Sequence, residues 1–204
     1  MENLEPIKKY FRDRFLEKGA CPLGSDWNSI DAQIIRFEQL SKVIEPQTPF
    51  SIIDYGCGYG PLALYLGNKW QSFSYQGFDI VEEMILFNKK QFSKNDNFQF
   101  SSDEKSLLKA DYVVESGIFN VKQSVKNEIW TDYILDTLNK MNDLAIRGMA
   151  FNFLTKYSDA EFMRPDLYYA DPCFFFDYCK KNFSKNVALL HDYKIYDFTI
   201  LIRK

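Results

Sequence analysis

The 204-residue chain has one histidine, four cysteines and nine glycines, and each scarcity closes off a class of function. Cys21, Cys57, Cys173 and Cys179 form no Cys-x-x-Cys pair, so the spacing encodes neither a zinc ribbon nor a dithiol centre; reduced thiols and no metal are expected. No run approaches the roughly 18 consecutive apolar residues of a membrane span. The opening Met1-Glu2-Asn3-Leu4-Glu5-Pro6 lacks the basic stretch and apolar core of a secretory signal, which makes a cytoplasmic location the default expectation. Lys and Arg total 25 against 28 Asp and Glu, for a net charge of −3, and the basic residues are scattered among the acids. A protein that grips phosphate backbones needs a basic stripe, so nucleic acid is disfavoured as a partner. Internal repeats and low-complexity tracts are absent as well.

What is present fits one globular domain spanning 1–204. At this length the fold buries about 70% of the surface its unfolded chain would expose. Residues 3–18 carry apolar positions at helical spacing (Leu4, Ile7, Phe11, Phe15), and a second stripe (Ile30, Ile34, Phe37, Leu40, Ile44) predicts a helix from Ser29 to about Ile44. Beyond Pro49, strands and helices alternate. Strands are expected at 51–55, 74–79, 97–101, 111–115 and 145–154, and helices at 61–70, 81–93, 103–109, 123–143 and 172–182. Two closing strands, 186–191 and 195–203, have only a short turn between them and read as a hairpin. This rhythm argues for an α/β fold with a doubly wound, mostly parallel sheet, whose ligand lies where the strand order reverses.

The densest signal is Ser51-Ile52-Ile53-Asp54-Tyr55-Gly56-Cys57-Gly58-Tyr59-Gly60-Pro61. An apolar strand runs into a turn with glycine at every second position, backbone that can take positive φ or touch a ligand with no Cβ between. Pro61 suits the first turn of the following helix. A dinucleotide fingerprint, Gly-x-Gly-x-x-Gly, would need a small residue where Pro61 stands. A second strand, Tyr75-Gln76-Gly77-Phe78-Asp79, ends in a carboxylate 23 residues after Gly56.

The pattern Asp-x-Gly-Cys-Gly-x-Gly followed by a strand-end acid resembles class I S-adenosylmethionine-dependent methyltransferases. The resemblance implies a seven-stranded sheet whose antiparallel last strand slots between the fifth and sixth, and S-adenosylmethionine as cofactor. It places Asp54, Gly56, Cys57, Gly58 and Gly60 under the methionine part and Asp79 on the ribose hydroxyls. Ile80 and Met84 would pack on the adenine, with a core role the alternative, and Ser102 and Asp103 fall where the family contacts the adenine amino group, unless they cap a short helix. Glu115 and Ser116 follow the fourth strand, where the fold presents groups to cofactor and acceptor. Residues 1–45 resemble the helical lid of bacterial small-molecule methyltransferases, ahead of a Rossmann-like core at 50–204. There Trp27 would meet the cofactor and Arg36 would pair with the methionine carboxylate or remain a solvent-facing charge.

An acceptor hydroxyl must lose a proton, and His191, at the end of the sixth strand, is a candidate base, with Glu115, Tyr168, Tyr169 and Asp171 behind it. Asp171-Pro172 reads as a helix start, not as an amino-methyltransferase motif. The expected activity is methyl transfer from S-adenosylmethionine to a small-molecule acceptor, oxygen favoured over nitrogen. The alternatives are a cofactor-binding regulatory domain without turnover, and an RNA methyltransferase, against which the charge stands.

Overall fold

The computed structural model describes residues 4–27, 29–45 and 49–204; the expectations falling on residues 1–3, 28 and 46–48 lie outside them. Helices α1 (Glu5–Lys18) and α2 (Ile30–Ser41) precede a sheet of β1 (Phe50–Tyr55), β2 (Phe73–Phe78), β3 (Phe98–Ser101), β4 (Ala110–Glu115), β5 (Ala145–Leu154), β6 (Asn186–Leu190) and β7 (Asp197–Arg203). Between strands run α3 (Pro61–Lys69), α4 (Glu82–Gln91), α5 (Asn127–Leu144) and α6 (Pro172–Asn182). The order across the sheet is β3-β2-β1-β4-β5-β7-β6, parallel except that β7 runs antiparallel to both neighbours. The last strand thus lies between the fifth and sixth, as the resemblance implied.

Strand residues alternate between two cores because successive side chains leave a strand on opposite faces. Ile53, Val113, Met149, Phe151, Ile200 and Ile202 pack on the face covered by α5 and α6, beneath Trp130, Ile134, Leu138 and Phe175. Ile52, Tyr112, Val114, Ala150 and Leu201 pack on the other, beneath Phe37, Leu40, Leu62 and Leu66. With both faces buried, β1 and β4 are mainly apolar, and their two buried carboxylates, Asp54 and Glu115, sit at or near the carboxyl ends of the strands. The strand order reverses between β1 and β4, so the crevice beyond their carboxyl ends is where this architecture holds ligands.

Three boundaries differ from the periodicity. The helix expected at 103–109 is one 3₁₀ turn, Glu104–Ser106. The Gln76 amide takes both backbone groups of Leu108 (Nε2 to O 3.0 Å, N to Oε1 2.9 Å), which holds the chain extended into β4. The helix expected from 123 starts at Asn127, because the backbone N–H groups of Lys122 and Gln123 both donate to Asp166 O at 3.0 Å, and Gln123 takes φ 53°. Helix α2 ends at Ser41, where Val43 and Ile44 tighten into bonds on Leu40 O and Ser41 O (3.2 and 3.1 Å). The α6 start is as expected: Asp171 caps it, accepting from Cys173 N at 3.0 Å, with Pro172 in the first turn. All four cysteines are free thiols. Among the described residues no helix is long and apolar enough to cross a membrane.

Candidate active site

Leaving β1, the chain turns through Gly56, Gly58 and Gly60 at φ 92°, 52° and 83°. At Gly56 a Cβ would meet the Ile118 side chain at 2.1 Å, so a side chain is barred by conformation and by space. The N–H groups of Gly56 and Cys57 both donate to Phe78 O (2.7 and 2.9 Å), tying the turn to the end of β2. The next residue, Asp79, is thereby brought against the turn. Its Oδ2 accepts from Gly58 N and its Oδ1 from Val81 N, each at 2.9 Å. A carboxylate has about four acceptor positions, so both oxygens keep capacity for a ligand's hydroxyls.

This turn borders a cavity of about 330 Å³. Asp54, Gly56, Cys57, Gly58, Asp79, Ile80, Met84, Ser102 and Ser116 all line it, as does Trp27 from the segment before α2. Sequence reasoning missed several wall residues. Leu4, just ahead of α1, and Ile7 and Phe11 within it close one side, and Tyr133, Thr137 and Lys140 of α5 line another. The latter three recur at i, i+4 and i+7, a legible face, yet one overshadowed by the apolar stripe Trp130, Ile134, Leu138 and Met141 that pins α5 to the sheet. Lys140 Nζ is held by Glu104 (2.9 Å), which also accepts from Tyr55 Oη.

Burial governs the acid–base character of the cavity floor. It pushes the Asp54 carboxyl up to about 7, opposed by a hydrogen bond from Tyr75 Oη at 2.5 Å and reinforced by Asp79 nearby. Asp79 is raised for the same reason, and its two backbone N–H bonds pull it back.

Five expected site residues sit outside the 330 Å³ cavity. Arg36 is buried: it ion-pairs with fully buried Asp197, donates to Ala32 O at 2.9 Å and lies 4.4 Å from the centre of the Trp27 ring. It does not line the 330 Å³ cavity. Glu115, fully buried, turns back so that Oε1 accepts from Ile118 N at 2.6 Å; it lines neither cavity, and burial holds its carboxyl well above the usual range. His191 is exposed, past the end of edge strand β6, with its ring 5.9 Å from those of Tyr157 and Phe198, outside both cavities. Asp103 caps the 3₁₀ turn through Lys105 N (3.0 Å) and is absent from the cavity wall, although its neighbour Ser102 is part of it. Gly60 also stays outside the wall, packed under α4 where a Cβ would meet Asn88 and Phe92 at 2.8 Å. Among the secondary candidates, Tyr168 is buried with its hydroxyl 2.8 Å from Thr131 Oγ1, and Asp171 pairs with Lys156 at 2.8 Å.

A second cavity, of about 490 Å³, adjoins the first. Phe11, Ser25, Trp27 and Gly117 line both. Gly117 has φ 94°, and a Cβ there would meet the Trp27 ring at 2.5 Å, so the bare backbone at 117 lets the indole lie in the common wall.

Residues 26–140 match the model of a methyltransferase domain family. The provisionally named methyltransferase Rv1506c of Mycobacterium tuberculosis H37Rv is 47% identical over 163 residues, 80% of this chain and 98% of that one. Two solved structures share the fold across nearly their whole lengths. Magnesium protoporphyrin IX methyltransferase (ChlM) from Synechocystis PCC 6803 with bound S-adenosylhomocysteine has a TM-score of 0.68 at 16% identity, covering 99% of this chain and 100% of its own. DhpI, in a complex with S-adenosylmethionine, has a TM-score of 0.69 at 12% identity, covering 98% and 97%. The chain therefore belongs to the methyltransferases, and it is a class I enzyme whose cofactor is S-adenosylmethionine.

Proposed function

We propose that the enzyme methylates a small-molecule acceptor, at oxygen, with the cofactor in the 330 Å³ cavity and the acceptor in the 490 Å³ one. The observation that supports this reading is the common wall of Phe11, Ser25, Trp27 and Gly117: the two chambers adjoin beside the glycine turn, so a methyl donor in one and an acceptor in the other would lie on either side of a single partition. Both volumes fall in the range of small-molecule sites, and each is enclosed in part by α1 and residues 22–27, which act as a lid.

In this reading Asp79 takes the ribose hydroxyls on the lone pairs left beside Gly58 and Val81. Gly56 and Gly58 run under the methionine part, with Ser116 and Trp27 beside it, while Ile80, Met84 and Ser102 border the adenine. Asp54, at the base of the cavity, ionises to meet the cofactor's positive charge. Bound there, the cofactor supplies an electrophilic methyl on a sulfonium. The protein's task is to align the nucleophile and take its proton, and alignment can contribute roughly 7–11 kcal/mol. Asp26 lines the second cavity, held by Arg14 (2.9 Å) and the Tyr10 hydroxyl (2.9 Å) with lone pairs to spare. We assign to it the proton of the acceptor hydroxyl, which leaves as the oxygen–methyl bond forms and the sulfur–methyl bond breaks.

The test incubates the protein with S-adenosylmethionine and fractionated cell extract and follows S-adenosylhomocysteine. The expected result is a product-forming fraction below 1 kDa, with Asp26→Asn lowering turnover by about 10²-fold or more while cofactor affinity holds. Turnover only in a protein or RNA fraction would overturn the small-molecule reading, and full turnover by Asp26→Asn would remove Asp26 as base.

A further inference from the structure

The second cavity offers a ligand no free charge. Three charged residues line it, and each is already paired. Asp26 is held by Arg14 and Tyr10, Arg36 by buried Asp197, and Arg164 places Nε and Nη2 on the two oxygens of Asp166 (3.1 and 2.5 Å). The rest of the lining is aromatic or neutral: Phe11, Trp27, Phe162, Tyr169 and Tyr196, with Ser158 and Asn120 among them. In the wall shared with the cofactor cavity, Ser25 Oγ is buried without a hydrogen-bond partner.

A carboxylate or phosphate entering such a chamber would give up its hydration and find both arginines already neutralised by a carboxylate, with only the buried Arg36 Nε left unpartnered, which is costly unless an existing pair is broken. A neutral hydroxyl loses far less on entry, and Ser25 Oγ is placed to meet it. The Phe162 and Tyr196 rings, packed on each other at 6.2 Å between centroids and both well exposed, give this lining an aromatic surface of the kind that takes the flat apolar side of a sugar or phenol ring. Resting on the assignment of this cavity to the acceptor, we infer that the acceptor is an uncharged, hydroxyl-bearing ring compound, a neutral glycoside or a phenol, and that acids and phosphates are excluded.

Three ligands that share one ring and differ in charge test this: phenyl β-glucoside, phenyl phosphate and benzoate, each titrated calorimetrically into protein saturated with S-adenosylhomocysteine, with phenol as a fourth arm to separate the two neutral sources. Phenyl β-glucoside or phenol should bind at least about tenfold tighter than either anion. Replacing both Phe162 and Tyr196 by Ala, each well exposed, should weaken the neutral ligand about tenfold and leave S-adenosylhomocysteine affinity unchanged. Asp166→Asn should free Arg164 and strengthen phenyl phosphate by about tenfold, with no gain for the neutral ligands. The inference is overturned if either anion binds the native protein as tightly as the neutral ligands, if none of the four gives heat, or if Asp166→Asn leaves phosphate binding unchanged. Absence of heat from S-adenosylhomocysteine itself would instead remove the cofactor assignment on which the inference rests.

Discussion

The two adjoining cavities are built from different materials. The proposed cofactor side is organised by backbone where it meets the sheet: positive-φ Gly56 and Gly58, a carbonyl at Phe78 that collects two N–H groups, and the Asp79 carboxylate just past β2 that collects two more. The proposed acceptor side is made largely of side chains from residues 25–27 and the stretch 154–169, joined by Arg36 and Tyr196, with its charged tips bonded in pairs. The first material is fixed by strand geometry and tolerates almost no replacement. The second can be rewritten without disturbing the sheet, which allows one fold to serve many acceptors.

The contrast predicts that damage on the backbone side will be the larger. Asp79→Ala removes the acceptor of two N–H bonds and, on the proposed reading, of the cofactor's ribose hydroxyls. Charged hydrogen bonds contribute about 1.5–3 kcal/mol each, so two ribose bonds predict a Kd for S-adenosylmethionine raised by about 100-fold or more in calorimetry. An unchanged Kd would break the comparison at its root.

Arg36→Ala comes next and should act on a different quantity. It leaves Asp197 buried and unpaired, which costs about 3–5 kcal/mol of folding stability, read as a lower denaturant midpoint. Arg36→Met, apolar and of similar length, should lose less. If cofactor affinity fell in the Met variant with little loss of stability, Arg36 would be a cofactor residue after all.

A smaller effect comes from pH. Asp54 holds its proton in the folded chain to about 7, whereas an unfolded Asp releases it near 3.9. The folded state therefore binds more protons over that interval. The resulting stability is present in full below about pH 4 and declines as pH rises toward about 7. Asp197, raised by burial to about 6 and pulled back by Arg36, adds to the same slope. Three units at 1.36 kcal/mol each set an upper bound of about 4 kcal/mol for Asp54. Denaturant midpoints of native protein and Asp54→Asn at pH 4.5 and pH 7.5 isolate it, because other groups cancel in the difference. Asn should gain on the native chain at the higher pH, and parallel pH dependences would remove the assignment.

How much of this was legible in the sequence follows the same division. Gly56, Gly58 and Asp79 were readable because a strand, a turn and the next strand fix one another over a short stretch of chain. Asp54 was readable as a member of that motif, although its raised pKa depends on Tyr75 and on burial that only the assembled sheet supplies. Arg36 was not, since its partner Asp197 lies 161 residues downstream and nothing local distinguishes a buried Arg from a solvated one. Glu115 stands at the expected strand end, yet its side chain folds back onto Ile118 N, an outcome set by the turn at Gly117. The wall of the second cavity was hidden because it joins segments more than 100 residues apart by loops, where no periodicity operates.

His191 gives the smallest predicted effect and the sharpest limit on reading chemistry from strand ends. The topology does carry it to the edge where ligands bind, because β6 runs parallel to β5. Position along a strand is only one coordinate, though. Across the sheet β6 lies beyond β7 at the far end, three strands from β4, and the His191 ring rests exposed against Tyr157 and Phe198. A base must come within about 2.6–3.2 Å of the proton it takes, directly or through one water, and neither cavity includes this side chain. His191→Ala should therefore leave kcat, KM and the acidic limb of the pH–rate profile unchanged, with stability altered by no more than about 0.5 kcal/mol, as for an exposed substitution. Loss of the acidic limb in this variant would mean that 155–160 and the loop after β6 close over the acceptor during turnover, and would move the acceptor site toward the sheet edge.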